Sequence, residues 1–75
     1  MKQVHKLTCL IEREGSGYVS MCPELDVASQ GGSIEEARGN LIEALEMFLE
    51  SADPSEFQRR LRTELYVTPI EVSIG

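Results

Sequence analysis

Carboxylates are the most numerous side chains in this sequence that could take part in catalysis, metal binding or recognition. The 75 residues include 13 Asp and Glu against 7 Lys and Arg, for a net charge of −6. The whole imbalance falls between positions 35 and 56, where seven acidic residues accompany a single base, Arg38. A surface of this sign repels nucleic-acid phosphates and attracts basic partners. We therefore expect no direct nucleic-acid binding and favour a basic protein as the partner.

Five of these acids follow the spacing of one helix face. At 100° per residue they gather on the side opposite a run of apolar residues. The five are Glu35, Glu36, Glu43, Glu46 and Glu50. Such a face is either a solvated helix surface or a docking surface for a basic partner. Glu46 and Glu50 favour docking, because like charges four residues apart destabilise a helix and negative charge is unfavourable near its C-terminal end.

A basic cluster follows the acidic segment, at Arg59, Arg60 and Arg62. Guanidinium groups this close could clamp a phosphate or a carboxylate, or pair with the acidic helix of a neighbouring subunit. We favour the pairing between subunits, because the acidic face is present in the same chain. Small chains also gain stability by oligomerising. We therefore expect a homo-oligomer, a dimer or a tetramer, with Ile70 and Val72 among its contacts.

Groups suited to nucleophilic catalysis or zinc binding are sparse. Nucleophilic catalysis needs a nucleophile held by a base, and the single histidine, His5, lies near the N-terminus on a predicted strand. Cys9 and Cys22 lack CxxC spacing, and with one histidine they cannot complete a four-ligand zinc site. We expect free thiols, no cofactor and no metal.

Acid-based phosphoryl chemistry needs several carboxylates that converge from different elements. The sequence offers Glu12, Asp26 and Glu64 for that role. Acids also collect at turns and strand ends for solubility, so we expect no catalytic residues and no enzymatic activity. An enzyme that depends on Glu12 or Asp26 remains the alternative.

The first third of the chain has the pattern of β-strands. Positions 3–12 alternate as a strand does, and a glycine-containing turn separates them from a second strand over 18–22, which Pro23 closes. Positions 27–30 predict a short third strand. If Arg13 and Tyr18 face each other, paired positions sum to 31, which sets Ile11 opposite Ser20.

The rest of the chain is predominantly helical in pattern. Ser33 followed by Glu36 predicts a capping box, and apolar positions then recur at helical spacing over 34–52 until Asp53-Pro54 ends the helix. A short second helix is predicted over 55–61. Alternation over 64–75 predicts a last strand, at an edge or bulged because Pro69 lacks a hydrogen-bond donor.

These elements give one domain over residues 1–75. Its predicted class is α+β, a small antiparallel sheet (β-β-β-α-β) with one long helix packed on one face. No apolar run approaches the roughly 20 residues that span a bilayer. The first residues lead into no signal-peptide core. We therefore expect a cytoplasmic protein that does not enter a membrane.

A series of short motifs runs from the hairpin turn into the long helix. They are Gly17-Tyr18-Val19, Pro23-Glu24-Leu25, Ser29-Gln30-Gly31-Gly32-Ser33, Ile34-Glu35-Glu36-Ala37, Asn40-Leu41 and Glu43-Ala44. In this order and spacing, residues 4–52 resemble the HicB-like antitoxin family of bacterial and archaeal toxin–antitoxin systems. The ordered set is more specific than any one of its pieces.

The resemblance implies a partial ribonuclease-H-like fold without a working nuclease centre. It also implies an interaction protein that binds and neutralises a small basic HicA-type toxin, an mRNA-cleaving endonuclease. Two departures matter: Asp26-Val27-Ala28 stands where the family has Pro-Gly-Cys, and no counterpart of its C-terminal DNA-binding segment is expected. The sequence thus predicts a truncated HicB-like antitoxin that does not itself bind DNA. The alternatives are a divergent ribonuclease-H-like enzyme that depends on Glu12 or Asp26 and, without a toxin partner, a solitary structural oligomer.

Overall fold

The computed structural model describes residues 5–61 and 65–75. It is an α+β fold with a three-stranded antiparallel sheet and two helices, of which the longer packs on the sheet, as predicted. The elements in chain order are β1 (Leu10–Glu14), β2 (Gly17–Cys22), β3 (Val27–Gly31), α1 (Ile34–Ser51) and α2 (Pro54–Leu61). The sheet order β1-β2-β3 leaves β1 and β3 at its edges.

The first hairpin has the predicted register. Ile11 lies opposite Ser20, and every other β1–β2 pair also sums to 31. Glu14 and Gly17 close the hairpin around a two-residue loop, in which Gly15 has a φ of 61°. A left-handed conformation of this kind favours glycine. β2 then pairs with β3 so that Ser20 lies opposite Ser29.

The turn between β3 and α1 fixes the start of the long helix. The Ser33 hydroxyl accepts a hydrogen bond from the Glu36 backbone N–H at 3.1 Å, which confirms the predicted N-cap. The Glu36 carboxylate accepts from the Gly32 N–H at 2.8 Å, one residue before the position that a standard capping box uses. The Ser33 hydroxyl thus satisfies an amide that the helix leaves unpaired, and the Glu36 carboxylate satisfies the amide of the turn just before it.

The core lies between the sheet and the helices. Its buried members are Cys22, Leu25, Leu41, Leu45 and Phe57. Phe57 comes from α2, which begins where Asp53 accepts hydrogen bonds from Ser55, so the predicted second helix is confirmed. In the described part of the chain, no helix combines the length and apolar character that crossing a membrane requires.

Two strand predictions differ from the structure. The first strand begins at Leu10 rather than at position 3, because the chain of β2 turns away at Pro23 and leaves residues 5–9 without a partner strand; positions 3 and 4 lie outside the described residues. The predicted last strand is wrong over residues 65–75, which form neither strand nor helix. No strand among residues 5–61 pairs with this segment, and a strand needs a neighbour.

Candidate functional site

The five acidic residues lie along the solvent side of α1. Glu35, Glu36, Glu43, Glu46 and Glu50 are all exposed. The opposite side of the helix buries Ala37, Leu41 and Leu45. We call these five carboxylates the acidic ridge. The structure thus brings together, on one rigid element, the residues that the helical spacing grouped.

Some carboxylates of the acidic ridge stabilise α1, and others destabilise it. Glu35 and Glu36 lie in the first turn, where negative charge is favourable. Glu36 is already engaged in capping the helix. No basic residue lies in the last turn to offset Glu46 and Glu50. Four carboxylates are therefore available to a partner, and the last two oppose the helix dipole.

The structure describes two of the three arginines of the basic cluster, and one of the two has a partner within its own chain. Arg59 and Arg60 lie in the last turn of α2. The Arg60 guanidinium donates a hydrogen bond to the backbone oxygen of Leu25 at 3.1 Å, so it helps hold α2 against the loop between β2 and β3. Arg62 lies outside the described residues. Ile70 and Val72 are 80% and 75% exposed, so they are not buried against their own chain.

The acids considered for metal chemistry do not assemble. Glu12 lies on β1 and Asp26 in the loop before β3, and both are exposed; Glu64 lies outside the described residues. Among residues 5–61 and 65–75, no group of three His, Cys, Asp or Glu side chains is arranged to hold a metal ion. His5 packs edge-on against Phe57, with ring centroids 6.1 Å apart.

A polar cluster that the sequence did not suggest lies beside the loop between β2 and β3. The Glu24 carboxylate accepts hydrogen bonds from the Thr8 hydroxyl at 2.7 Å and from the Thr8 N–H at 3.0 Å. The buried Cys22 thiol donates to the same carboxylate at 3.4 Å. The predicted hairpin register could have indicated this cluster. Paired positions sum to 31, so Thr8 falls opposite Pro23 and next to Glu24.

The pKa values of the two ionisable members of this cluster shift in opposite directions. Burial alone would raise the pKa of the Glu24 carboxyl, but the hydrogen bonds from Thr8 and Cys22 outweigh it and lower that pKa below its ordinary 4.5. Burial raises the pKa of the Cys22 thiol above its ordinary 9.0. Cys22 is therefore a protonated thiol at neutral pH. Cys22 and the exposed Cys9 are both free.

A groove lies between residues 5–9, which lead into β1, and the long helix. Its volume is about 560 Å³. The helix contributes Arg38, Leu41, Ile42, Leu45, Glu46 and Leu49 to its wall. The groove is open because α1 packs mainly over β3 and β2 and much less over β1. We call it the edge groove.

Comparison with known proteins points to one family. A UPF0150 protein of Synechocystis sp. is 37% identical over 75 residues, which cover 97% of this chain and 94% of that protein. A UPF0150 protein of Helicobacter pylori is 32% identical over 70 residues, 92% of this chain and 97% of that protein. No profile of a protein family matches the chain, and no solved structure matches it significantly. At these identities over nearly the full length of both relatives, the chain belongs to the UPF0150 family.

Proposed function

We propose that this UPF0150 protein is a HicB-like antitoxin-type interaction protein of the cytoplasm. It binds a small basic HicA-type toxin through the acidic ridge and keeps that toxin from cleaving mRNA. The observation that carries the proposal is the row of exposed carboxylates on α1. The opposite face of the same helix is buried in the core, which fixes the position of that row. The protein has no catalytic role of its own in this scheme.

Charge complementarity supports a basic protein as the client. A row of like charges on a rigid element attracts a basic partner over roughly a Debye length, about 8 Å at physiological ionic strength, and raises the association rate. The same row weakens the helix that carries it, since Glu46 and Glu50 lie one turn apart near the negative end of the dipole. A feature that costs local stability is expected where a surface serves binding.

The motifs that resemble HicB-like antitoxins support the same function through the fold. Ser33 and Glu36 cap α1, and the Asn40 amide donates to the Gln30 backbone oxygen at 2.8 Å. Leu25 and Leu41 are core residues. The resembling positions thus hold α1 on the sheet in a fixed orientation, which is what presentation of the acidic ridge requires. Self-association into a homo-oligomer is part of the proposal.

The test is a double charge reversal, Glu43→Lys with Glu50→Lys. Both new lysines flank Glu46 on the helix, and Lys is favourable in the last turn, so the free energy of unfolding should rise by up to about 1 kcal/mol. Binding to the toxin should nevertheless weaken about 100-fold or more. The binding probe is a small basic protein of the HicA type, sought first in the reading frames next to this gene, co-expressed with the full chain and then titrated by calorimetry.

The matched control is Glu12→Lys with Glu14→Lys. It makes the same change of net charge at two exposed positions of β1, away from the acidic ridge. If both double variants weaken binding equally, the effect is one of net charge and the acidic ridge is not the contact surface.

The antitoxin proposal fails if no basic ribonuclease-like protein co-purifies with the unmodified chain. Metal-dependent RNA cleavage that Asp26→Asn abolishes would instead establish the enzymatic alternative.

A further inference from the structure

The segment 65–75 is apolar, exposed and separate from the core of its own chain. Ile70, Val72 and Ile74 alternate with Glu71 and Ser73, and these three apolar side chains are 75% exposed or more. The Cα radius of gyration is 14.6 Å, against about 11 Å for a compact domain of this length. The segment therefore extends beyond the domain rather than packing on it. We call residues 65–75 the tail.

The edge groove has the spacing that a strand formed by the tail would need. Alternate residues of a strand lie about 6.6 Å apart. Helix positions four residues apart lie about 6 Å apart along the axis. Successive turns of α1 line the groove at that interval, through Ile42, then Leu45 and Glu46, then Leu49. Three alternating tail residues therefore match three successive contacts on α1.

The charges of the edge groove differ from those of the acidic ridge. Glu71 is the only charged residue of the tail. The groove wall carries Lys6 and Arg38 against Glu46. Arg38 is the only base of α1 and lies on the groove side, not among the carboxylates of the acidic ridge. A basic partner is thus disfavoured in the groove, whereas an apolar strand whose one carboxylate faces away from α1 is compatible with it.

We infer that the tail of one copy adds as a strand beside residues 5–9 of a second copy, which lead into the edge strand β1, and fills the edge groove of that copy, with the exchange reciprocated. The inference gives a structural basis to the self-association proposed above and rests on it. Ile70, Val72 and Ile74 face α1 of the partner copy, and Glu71 and Ser73 face away from it. An exposed sheet edge is a known template for such strand addition.

The size of the contact fits a stable dimer. Eleven residues line the groove, and the tail has eleven more, so that each copy contributes about 22 residues to a reciprocal interface. Stable interfaces have about 20–30 residues a side. A two-fold arrangement also closes the assembly, because every tail and every groove is used once.

The first experiment measures the mass of the full chain and two variants by light scattering after gel filtration. The unmodified chain should have about twice the mass of one 8.4 kDa chain. Val72→Asp should halve that mass, whereas Ser73→Asp, which places the same charge on the opposite face of the tail, should leave it unchanged. If Val72→Asp stays dimeric, tail exchange is wrong although self-association stands. If the unmodified chain is monomeric, both are wrong.

The second experiment uses Cys9, which is exposed and lines the edge groove, as a natural reporter. Single cysteines are placed at Ile70, Val72 and Ile74 of the full chain, which is then mildly oxidised. At least one variant should give a disulfide-linked dimer on a non-reducing gel, and Cys9→Ser should abolish it. A disulfide within one chain would show that the tail fills its own groove and would overturn the exchange, as would the absence of any link to Cys9.

Discussion

The sheet and the long helix pack closely at Gly31, the last residue of β3. A Cβ atom added there would lie 2.5 Å from the Ala37 backbone nitrogen and 2.8 Å from the Glu36 carbonyl carbon. These are backbone atoms of the first turns of α1, so they cannot rotate away as a side chain would. Glycine is needed here for the close approach of two backbones, and α1 could not lie against β3 at this distance with any larger residue.

Gly31→Ala is therefore expected to lower the free energy of unfolding by about 1–3 kcal/mol, the usual cost of overpacking. Urea denaturation followed by circular dichroism would measure it. Gly39→Ala is the control, because an added Cβ at that position in α1 meets no atom within 4 Å. It should raise the free energy of unfolding by about 0.5–1 kcal/mol through helix propensity. Equal effects of the two substitutions would contradict the packing argument.

At the scale of elements, Glu24 joins the loop between β2 and β3 to the residues that precede β1. Its carboxylate holds the hydroxyl and the N–H of Thr8, which keeps residues 5–9 beside the sheet although no strand pairs with them. Glu24 therefore helps to hold one wall of the edge groove, together with the contact between His5 and Phe57.

The lowered pKa of Glu24 makes this connection sensitive to acid. A carboxyl whose pKa is lower in the folded state stabilises the fold above its unfolded pKa, ordinarily 4.5, and the contribution is lost as pH falls through the folded value. Glu24→Gln should be less stable than the unmodified chain by about 1 kcal/mol at neutral pH, a size limited by partial exposure. The difference should shrink as pH falls below 4.5.

The measurement is thermal unfolding of both proteins from neutral pH to about pH 3. Glu43→Gln serves as the comparison, because it removes an exposed carboxylate from the acidic ridge instead. A stability difference for Glu24→Gln that stays constant over this range would show that the charge of Glu24 is not what holds Thr8.

The sequence predicted those elements whose determinants are local. The hairpin register followed from Arg13 and Tyr18, and the start of α1 from Ser33 and Glu36, because both depend on residues a few positions apart. The acidic ridge followed from helical periodicity alone. The course of residues 65–75 could not be predicted. A strand forms only beside another strand that is distant in the sequence, and an alternating pattern does not say which strand that is. The edge groove was missed for the same reason, since it depends on where α1 lies over the sheet.

At the scale of the whole molecule, α1 presents two different surfaces side by side. The acidic ridge faces solvent, and the edge groove lies next to it on the side of β1. Glu46 belongs to the acidic ridge and also lines the groove, whereas Glu43 and Glu50 belong only to the ridge. Tail exchange would cover the groove and leave the ridge open, so a dimer could present two acidic ridges at once.

The two surfaces should therefore be separable by mutation. Glu43→Lys with Glu50→Lys should weaken toxin binding while the dimer mass stays unchanged, because neither residue lines the groove. Val72→Asp should dissociate the dimer and leave the affinity of each chain for the toxin within about threefold of its original value. Raising the salt concentration from 50 to 500 mM, a change that shortens the Debye length, should weaken toxin binding and spare the largely apolar dimer contact. Light scattering and calorimetry on the same samples would test all three statements. If Val72→Asp abolished toxin binding as well, the toxin would have to contact both copies, and the acidic ridge of a single chain would not be a sufficient binding surface.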